Sequence, residues 1–358
     1  MKRIICLLLA AVMSLMLFSC SAPKYEPQES TDEEKQVMMT LELDSERYDV
    51  RYELYRALFL NFASEYDDRG EGFFGTDEGR EAVEKINLHI MELITDIYGA
   101  LHLAKQTGFD PYSSDADKAV GDLIAEDVDG PYYEGNYEKY LAELKKMNMN
   151  YAVQDLVLRY QLAYDHIIEY YTGTLDFDNP SADMEEGAIK YTEQNVRDFY
   201  FGNDCVRVSV ITVNHALSLA DAQRIRDNVA AKATVTDALN YAISATISDP
   251  SDIYNGVVIG KESVDYVFYG DVKSAAFSLA VGEASEVIEI SRDIDSSWWI
   301  LYRTEKSEEH FTECYEEIAS AYVSQKIGEI LRDVKDGLTE SLTETDEYKN
   351  LDHTEISM

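Results

Sequence analysis

The sequence predicts an α+β protein in which a helical domain, formed by the N- and C-terminal segments, contains an inserted small α/β domain. Apolar residues recur at helical spacing before residue 200 and again after Glu308. Between Val206 and Val213, by contrast, β-branched residues alternate as in a buried strand. The predicted domains are therefore 37–200, 201–306 and 307–358, the last segment completing the helical domain.

The chain begins with the pattern of an export signal. Lys2 and Arg3 form a short positive region, and an apolar run extends from Ile4 to Phe18. This run is too short to span a bilayer comfortably, and a small residue and Cys20 follow it. Residues 1–19 are therefore predicted to be a signal peptide that is removed.

The N-terminal half then alternates between linker, strand and helix. Residues 20–36 are polar and are predicted to be a flexible tether. A short strand is predicted over Val37–Leu43, followed by a helix that starts at Ser45 or Asp49 and ends near Tyr66. A second helix is predicted to follow Asp77 and to be ended by Gly108, and further helices are predicted over 114–127, 134–147, 149–171 and 185–200.

The inserted region has the order β-α-α-β-α-β-β. Strands are predicted over 206–213, 256–259, 284–290 and 298–303, and helices over 218–231, 234–245 and 271–279. A long helix follows from Glu308. The apolar stripes of all these helices are typical of helix packing.

The charge excludes one class of partner. The formal net charge is −38, and the acidic residues are spread among aromatic and aliphatic ones. This distribution is typical of a solvated acidic surface on a folded protein. Such a surface is repelled by nucleic acid and by anionic membranes. We expect no nucleic-acid partner.

Cysteine and histidine spacings predict no metal site and no cofactor. Neither His-x-x-x-His nor Cys-x-x-Cys occurs, and no glycine-rich phosphate loop is present. Beyond the signal only Cys20, Cys205 and Cys314 remain. If Cys20 is modified, only the other two can pair, and the sequence leaves open whether they do.

The end of the signal, Leu17-Phe18-Ser19-Cys20, resembles the lipobox of bacterial lipoproteins, with Phe18 bulkier than the usual residue. The resemblance implies cleavage before Cys20 and attachment of diacylglycerol to its thiol. The protein is then a lipoprotein anchored at the outer, extracytoplasmic face of the cell membrane. The alternative is an ordinary secretory signal with an incidental cysteine.

The insert resembles a parvulin-type peptidyl-prolyl isomerase domain. Its most specific segment, 275–287, contains Ala-Phe-x-Leu followed by Gly-Glu-x-Ser and a strand. Arg207–Ile211 and Trp298–Leu301 stand where parvulins have their first and last strands, and the region of Gly256 stands where they have Gly-Gly-Asp-Leu-Gly. Tyr48–Tyr66 and the turn at 108–111 resemble the helical substrate-holding domain of the same family. The resemblance thus covers most of the mature chain, which is similar to extracytoplasmic foldase lipoproteins of the PrsA and SurA type.

The catalytic positions of this family are apolar here. Parvulins place two histidines and an Asp or Cys beside the substrate proline, and the matching positions are Val210, Val257 and Trp299. We therefore predict no catalytic residue, although the enzyme class stays open. A shift of one residue would bring Ser209 into the pocket, and a displaced role for His215 is the other alternative.

The pocket wall implied by the resemblance is apolar. Its positions are Phe268 and Val272, which with Trp299 are the predicted peptide-binding residues. The alternative for each of them is ordinary core packing, because aromatic residues on short strands usually point inward.

The expected function is that of a membrane-anchored folding factor, a chaperone that binds unfolded or proline-containing secreted polypeptides. In this hypothesis the helical domain offers the client an apolar surface, and the parvulin-like domain makes a second contact. One alternative is an active peptidyl-prolyl cis-trans isomerase. The other is a structural or adaptor lipoprotein that docks one folded partner, which a single stoichiometric partner would favour over a wide client range.

Overall fold

The structure, a computed structural model, describes residues 24–70, 72–173, 187–214, 216–248, 250–264, 270–290 and 297–356. It divides into two compact units. The first contains the chain up to Ile167 and from Leu331 onward, and the second is Ile168–Ile330. Both units combine helices with an antiparallel sheet, which confirms the predicted α+β class. The second unit extends beyond 201–306 at both ends.

The sheet of the first unit starts with a hairpin. Strand β1 (Val37–Leu43) lies where the sequence predicts it and pairs with β2 (Glu46–Arg51). The predicted helix start at Ser45 or Asp49 is wrong. Asp44 and Ser45 have φ values of 51° and 67° and form a two-residue hairpin loop, after which Tyr48 and Val50 are buried as alternate residues of a strand.

Five helices of this unit follow in chain order: α1 (Tyr52–Ala63), α2 (Asp77–Gln106), α3 (Ser114–Asp129), α4 (Tyr137–Lys146) and α5 (Tyr151–Thr172), of which α5 ends in the second unit. Side chains of Thr76, Ser113 and Asn136 cap α2, α3 and α4. Gly108, with a φ of 99°, follows the end of α2 as predicted.

The apolar stripes of these helices form the core of the first unit. Tyr55, Phe59 and Phe62 of α1 are buried, and so are the α2 residues that recur at helical spacing, Val83, Ile86, Ile90, Ile94, Ile97, Leu101 and Ala104. These faces are therefore not a free surface for a client, and helix packing is their role.

The second unit contains α6 (Glu193–Phe201) and the strands β3 (Cys205–Asn214), β4 (Val257–Gly260), β5 (Ile288–Ile290) and β6 (Ser297–Thr304). Between β3 and β4 lie α7 (Leu219–Ala230), α8 (Val235–Ala245) and a short helix that the sequence analysis missed, α9 (Pro250–Asn255). Helix α10 (Gly270–Ser278) follows β4. The strands are antiparallel in the order β4-β3-β6-β5.

The C-terminal segment is broken in two places that the sequence did not reveal. The predicted long helix is α11 (Glu308–Glu313) and α12 (Tyr315–Ser341), which separate at Cys314. Strand β7 (Thr343–Glu344) then pairs with β1 and completes the sheet of the first unit, and α13 (Asp346–Lys349) follows. None of the helices in the described ranges combines the length and apolarity that crossing a membrane requires.

Among the described residues, different numbers of helices pack against the two faces of the four-stranded sheet. On the three-helix face, Ile211, Val213, Ile300 and Tyr302 pack with buried residues of α7, α8 and α9. On the one-helix face, Val206, Val208, Ile259 and Leu301 pack with α10. Because consecutive residues of a strand point to opposite sides, β3 contributes its odd-numbered side chains to the first face and its even-numbered ones to the second.

Candidate functional site

The one-helix face brings the three predicted parvulin positions together. Val257 pairs with Val208, Trp299 pairs with Thr212, and Val210 lies between them on β3. Directly paired residues share a face of a sheet, so all three side chains lie on the one-helix side. Each is only partly buried and packs against the same apolar cluster.

Helix α10 supports this face from one side. Val272 and Ala276 are fully buried in the cluster, whereas Ala275, Phe277 and Leu279 are partly buried beside it. Val272 therefore forms part of the packed base of the face and does not line its accessible part. Phe268, the other predicted wall residue, lies outside the described residues.

Arg303 closes one end of the face. It pairs with Val208, and its Nη1 donates to the carbonyl oxygens of Ala276 and Leu279, each at 3.1 Å. The guanidinium thus satisfies carbonyl groups at the C-terminal end of α10, which have no partner within the helix. Its role here is to position α10, since both contacts are to backbone oxygens.

The alternative register is excluded by the position of Ser209. This residue is fully buried on the three-helix face, where its Oγ donates to the carbonyl oxygen of Ile253 at 2.6 Å. Its hydroxyl therefore cannot act on a ligand of the one-helix face. His215 lies outside the described residues.

A buried polar cluster that the sequence analysis missed lies between α6 and α11. The hydroxyl of Tyr200 lies 2.8 Å from Nδ1 of His310, and the backbone N–H of Ser307 donates to the same hydroxyl at 3.3 Å. Burial, together with the nearby Arg207 guanidinium, lowers the pKa of His310 to about 4. This histidine is therefore neutral at pH 7. Its hydrogen-bond contact is with Tyr200 and not with a residue of the one-helix face, so its role is packing.

Both cysteines of the second unit are buried free thiols. The Cys205 thiol donates to the carbonyl oxygens of Phe199 and Tyr200, at 3.3 and 3.5 Å. Burial raises the pKa of Cys205 to about 11 and also raises the pKa of Cys314. Protonated, buried thiols of this kind are poor nucleophiles and poor metal ligands.

The side chains at the three predicted parvulin positions are apolar. At the three parvulin positions the face offers two isopropyl groups and an indole ring, none of which exchanges a proton near neutral pH. In the part of the chain that the structure describes, no group of three or more His, Cys, Asp or Glu side chains is placed to hold a metal ion. What the face presents is apolar area for another apolar surface.

Comparison with known proteins gives matches among solved structures. No protein-family model and no curated protein matches this sequence. Crystal structures of foldase protein PrsA from Streptococcus pneumoniae, Lactococcus lactis and Bacillus subtilis do match. All three are PrsA foldases.

The likeness is long but loose. Each structure is 16% identical to this chain, with TM-scores of 0.25, 0.23 and 0.24 respectively. The matches cover 78%, 87% and 86% of this chain and 95%, 96% and 93% of the PrsA chains. PrsA is one of the foldase types that the sequence motifs resemble. At such low identity and TM-scores, the likeness carries no argument about activity or clients.

Proposed function

We propose that this protein is a membrane-anchored extracytoplasmic folding factor that holds unfolded or proline-containing segments of secreted polypeptides on the one-helix face. The observation that carries the proposal is the partial exposure of Val210, Val257 and Trp299 on one apolar face. An isolated exposed apolar residue needs no explanation, but a contiguous group of them is typical of an interaction site.

The energetics of such a face suit transient holding. Complete burial of a side chain of this size stabilises by about 1.5–3 kcal/mol relative to exposure. These side chains are already mostly covered, so each has only a minor part of that amount left to contribute. Several weak apolar contacts of this kind bind unfolded segments without demanding one sequence, and binding the unfolded state lowers its free concentration.

The proposal assigns no prolyl isomerisation to the protein. A proline segment can lie on an apolar face and still isomerise at its intrinsic rate, since the barrier of about 18–20 kcal/mol belongs to its own peptide bond. Polar groups that act on such a bond are missing at Val210, Val257 and Trp299. Binding and catalysis are therefore separable in this chain.

The binding face is tested by placing a charge on it. Val257 lies on the edge strand β4, so Val257→Asp should be tolerated by the fold and yet oppose apolar binding. We expect at least about tenfold weaker suppression of the aggregation of an unfolded reporter, the equivalent of 1.4 kcal/mol. Ile247→Asp is the matched control, because Ile247 is exposed in the same unit but does not belong to the cluster of this face.

The interpretation of that experiment depends on folding. Urea unfolding of each variant checks that it is native, and Trp299→Ala provides a second way to remove apolar contact if Val257→Asp unfolds. Equal loss in Val257→Asp and Ile247→Asp would make the effect one of charge alone. Full activity of folded Val257→Asp and folded Trp299→Ala would move the client site away from this face.

The anchor is tested separately. The proposed lipid on Cys20 rests on the lipobox-like end of the signal, and several acyl chains on one residue give stable membrane attachment. Cys20→Ser should therefore release the protein from the membrane fraction into the medium or the soluble extracytoplasmic fraction. Unchanged membrane retention of this variant would contradict lipid anchoring at Cys20.

A further inference from the structure

The segment that follows the proposed anchor is attached to the first unit from its first described residues. Lys24 Nζ lies 2.5 Å from Oδ2 of Asp129, and the hydroxyl of Tyr25 donates to Oδ1 of the same carboxylate at 2.9 Å. The ring of Tyr25 stacks on Tyr137, with 4.9 Å between centroids. The Tyr137 hydroxyl in turn donates to the carbonyl oxygen of Glu26. We call residues 24–36 the strap.

Contacts continue along the strap. Ser30 donates to the Glu53 carboxylate, and Asn150 Nδ2 donates to both Glu53 and Glu34. The backbone N–H groups of Tyr52 and Glu53 donate to the carbonyl oxygens of Gln36 and Glu34. Side chains of Lys24, Tyr25, Ser30 and Glu34 thus bond to the rest of the first unit, within a segment whose polar composition predicted a flexible tether.

This attachment shortens the link to the membrane. Only three residues separate Cys20 from Lys24. Four peptide steps span at most about 14 Å when fully extended, and the headgroup layer of one leaflet is itself about 5–7 Å thick. With a lipid on Cys20, the end of the first unit that holds Lys24 therefore lies within about 14 Å of the bilayer surface.

The surface at that end is rich in tyrosine. Tyr132 is 61% exposed, and its ring packs edge-on against Tyr133 at 4.7 Å. Lys139 Nζ lies 4.1 Å from the centre of the Tyr132 ring. Tyrosine is favoured at membrane interfaces because its ring prefers the apolar side and its hydroxyl the aqueous side. Tyr25, Tyr132, Tyr133 and Tyr137, with Lys24 and Lys139, are called here the tyrosine end.

The charges around the tyrosine end restrict which lipids suit it. Glu126, Asp127, Glu134 and Glu138 are its neighbours in sequence, and they outnumber the two lysines. An anionic leaflet would therefore repel this end, whereas a zwitterionic headgroup layer would accept tyrosine rings without that repulsion.

We infer that the strap fixes the orientation of the first unit at the membrane, so that the tyrosine end contacts a zwitterionic headgroup layer through Tyr132 and Tyr133. This inference rests on the proposed lipid at Cys20. The partner is the bilayer surface in which that lipid sits.

The test measures how well the bilayer shields individual tyrosines. The mature chain is coupled through Cys20 to a maleimide phospholipid in phosphatidylcholine vesicles, and tyrosine iodination is read by mass spectrometry. Chemical coupling makes the result independent of whether cells lipidate Cys20, which the Cys20→Ser fractionation decides. We expect Tyr132 to react about threefold more slowly on vesicles than in the uncoupled protein, the change expected if most of its exposed ring area is covered.

Two variants separate orientation from mere proximity to vesicles. Insertion of 20 Gly/Ser residues between Ala22 and Pro23 adds an average reach of about 25 Å without changing the strap, and should restore the reactivity of Tyr132. Tyr25→Ala combined with Asp129→Asn loosens the strap itself and should have the same effect. Tyr112, 54% exposed in the same unit, is the internal reference.

Equal shielding of Tyr132 and Tyr112, or no shielding of either, would overturn the inference. So would shielding of Tyr132 that persists unchanged in the insertion variant, because contact would then not depend on the strap. Restored reactivity in both variants, with Tyr112 constant, would support it.

Discussion

The two faces of the sheet in the second unit are made by the same strands and yet differ in how completely some of their residues are buried. On the three-helix face, Ile211, Val213 and Ile300 are completely buried. On the one-helix face, their neighbours in sequence Val210 and Trp299 remain partly exposed. The strands are apolar on both sides, which is typical of a sheet covered on both faces. Val208 and Leu301 on the one-helix face are also fully buried, so the partial exposure belongs to particular positions such as Val210 and Trp299 and does not follow from the composition of the strands.

The two kinds of position on this sheet are core residues and candidate binding residues. A fully buried apolar residue such as Val213 contributes to folding. A partly exposed residue of the same type, such as Val210, keeps apolar area that another chain can contact. Substitutions that are matched in residue type but placed on opposite faces therefore measure the two roles independently.

The largest effect is expected on the three-helix face. Val213→Ala removes two methyl groups from a fully buried site and should lower the free energy of unfolding by about 2–3 kcal/mol, from lost burial and the cavity that remains. Val210→Ala makes the identical change on the same strand at a partly exposed site, where we expect about 1 kcal/mol. Urea unfolding of both variants gives the comparison.

The contrast in client binding should be the reverse. Val213→Ala, once folded, should suppress reporter aggregation as the unchanged protein does, whereas Val210→Ala should be weaker. Equal stability losses for the two variants would show that the one-helix face is as well packed as the other, and the distinction between the faces would be lost.

An intermediate effect is expected from pH. The buried His310 has its pKa lowered to about 4 from an ordinary value of 6.5, so the folded state favours the neutral form. Its stabilising contribution is fully present above about pH 6.5 and is lost as pH falls towards 4, because the unfolded chain takes up the proton first. Between pH 7 and pH 5 the loss should be about 2 kcal/mol.

The variant His310→Asn isolates this contribution. An amide oxygen can accept from Tyr200 in place of Nδ1 but does not titrate. His353, whose pKa burial also lowers, is present in both proteins and cancels in the difference. Identical pH dependence of unfolding in the two proteins would mean that His310 is not held in its neutral form by burial.

The helices and strands that could be predicted from the sequence are those with a regular spacing of apolar residues. Strand β1 was predicted at the residues where it lies, and α2 ends two residues before the predicted Gly108. Most other helices and strands were predicted within a few residues, because their patterns are regular. The hairpin loop at Asp44 and Ser45 was missed, since neither residue is the glycine that usually signals positive φ. Strand β7 was missed because two residues carry no period, and its pairing with β1 joins distant parts of the chain.

The candidate site likewise has features that the sequence predicts and features that it does not. Alternation along β3 and β6 is enough to place Val210 and Trp299 on one face once the register is known, and the family resemblance supplied that register. The burial of Val272 and the polar cluster around His310 were not predictable, because both depend on which helices lie against the sheet. The strap was misread as a flexible tether, since polar residues that bond to a partner and polar residues in solvent have the same composition.

The smallest effect is expected from adding one polar group to the one-helix face. Trp299→His places an imidazole at one of the three parvulin positions, opposite Thr212 and beside Val210. General acid–base assistance contributes about 10²–10⁴-fold, but it requires a partner that orients the ring and a bond that the ring can reach. With Val210 and Val257 unchanged, the two other groups of the parvulin set are still absent. We therefore expect no measurable gain in prolyl isomerisation of a proline tetrapeptide, followed without a coupling protease beside an active parvulin at equal concentration.

The triple variant Val210→His, Val257→Asp, Trp299→His is the informative control, because it restores the whole set on the same face. A gain in the triple variant alone would show that the face can hold a proline in the catalytic position and lacks only the polar groups. A rate within about tenfold of the parvulin, a difference of 1.4 kcal/mol in barrier, in the unchanged protein or in Trp299→His would instead assign catalysis to this face and contradict the binding-only proposal.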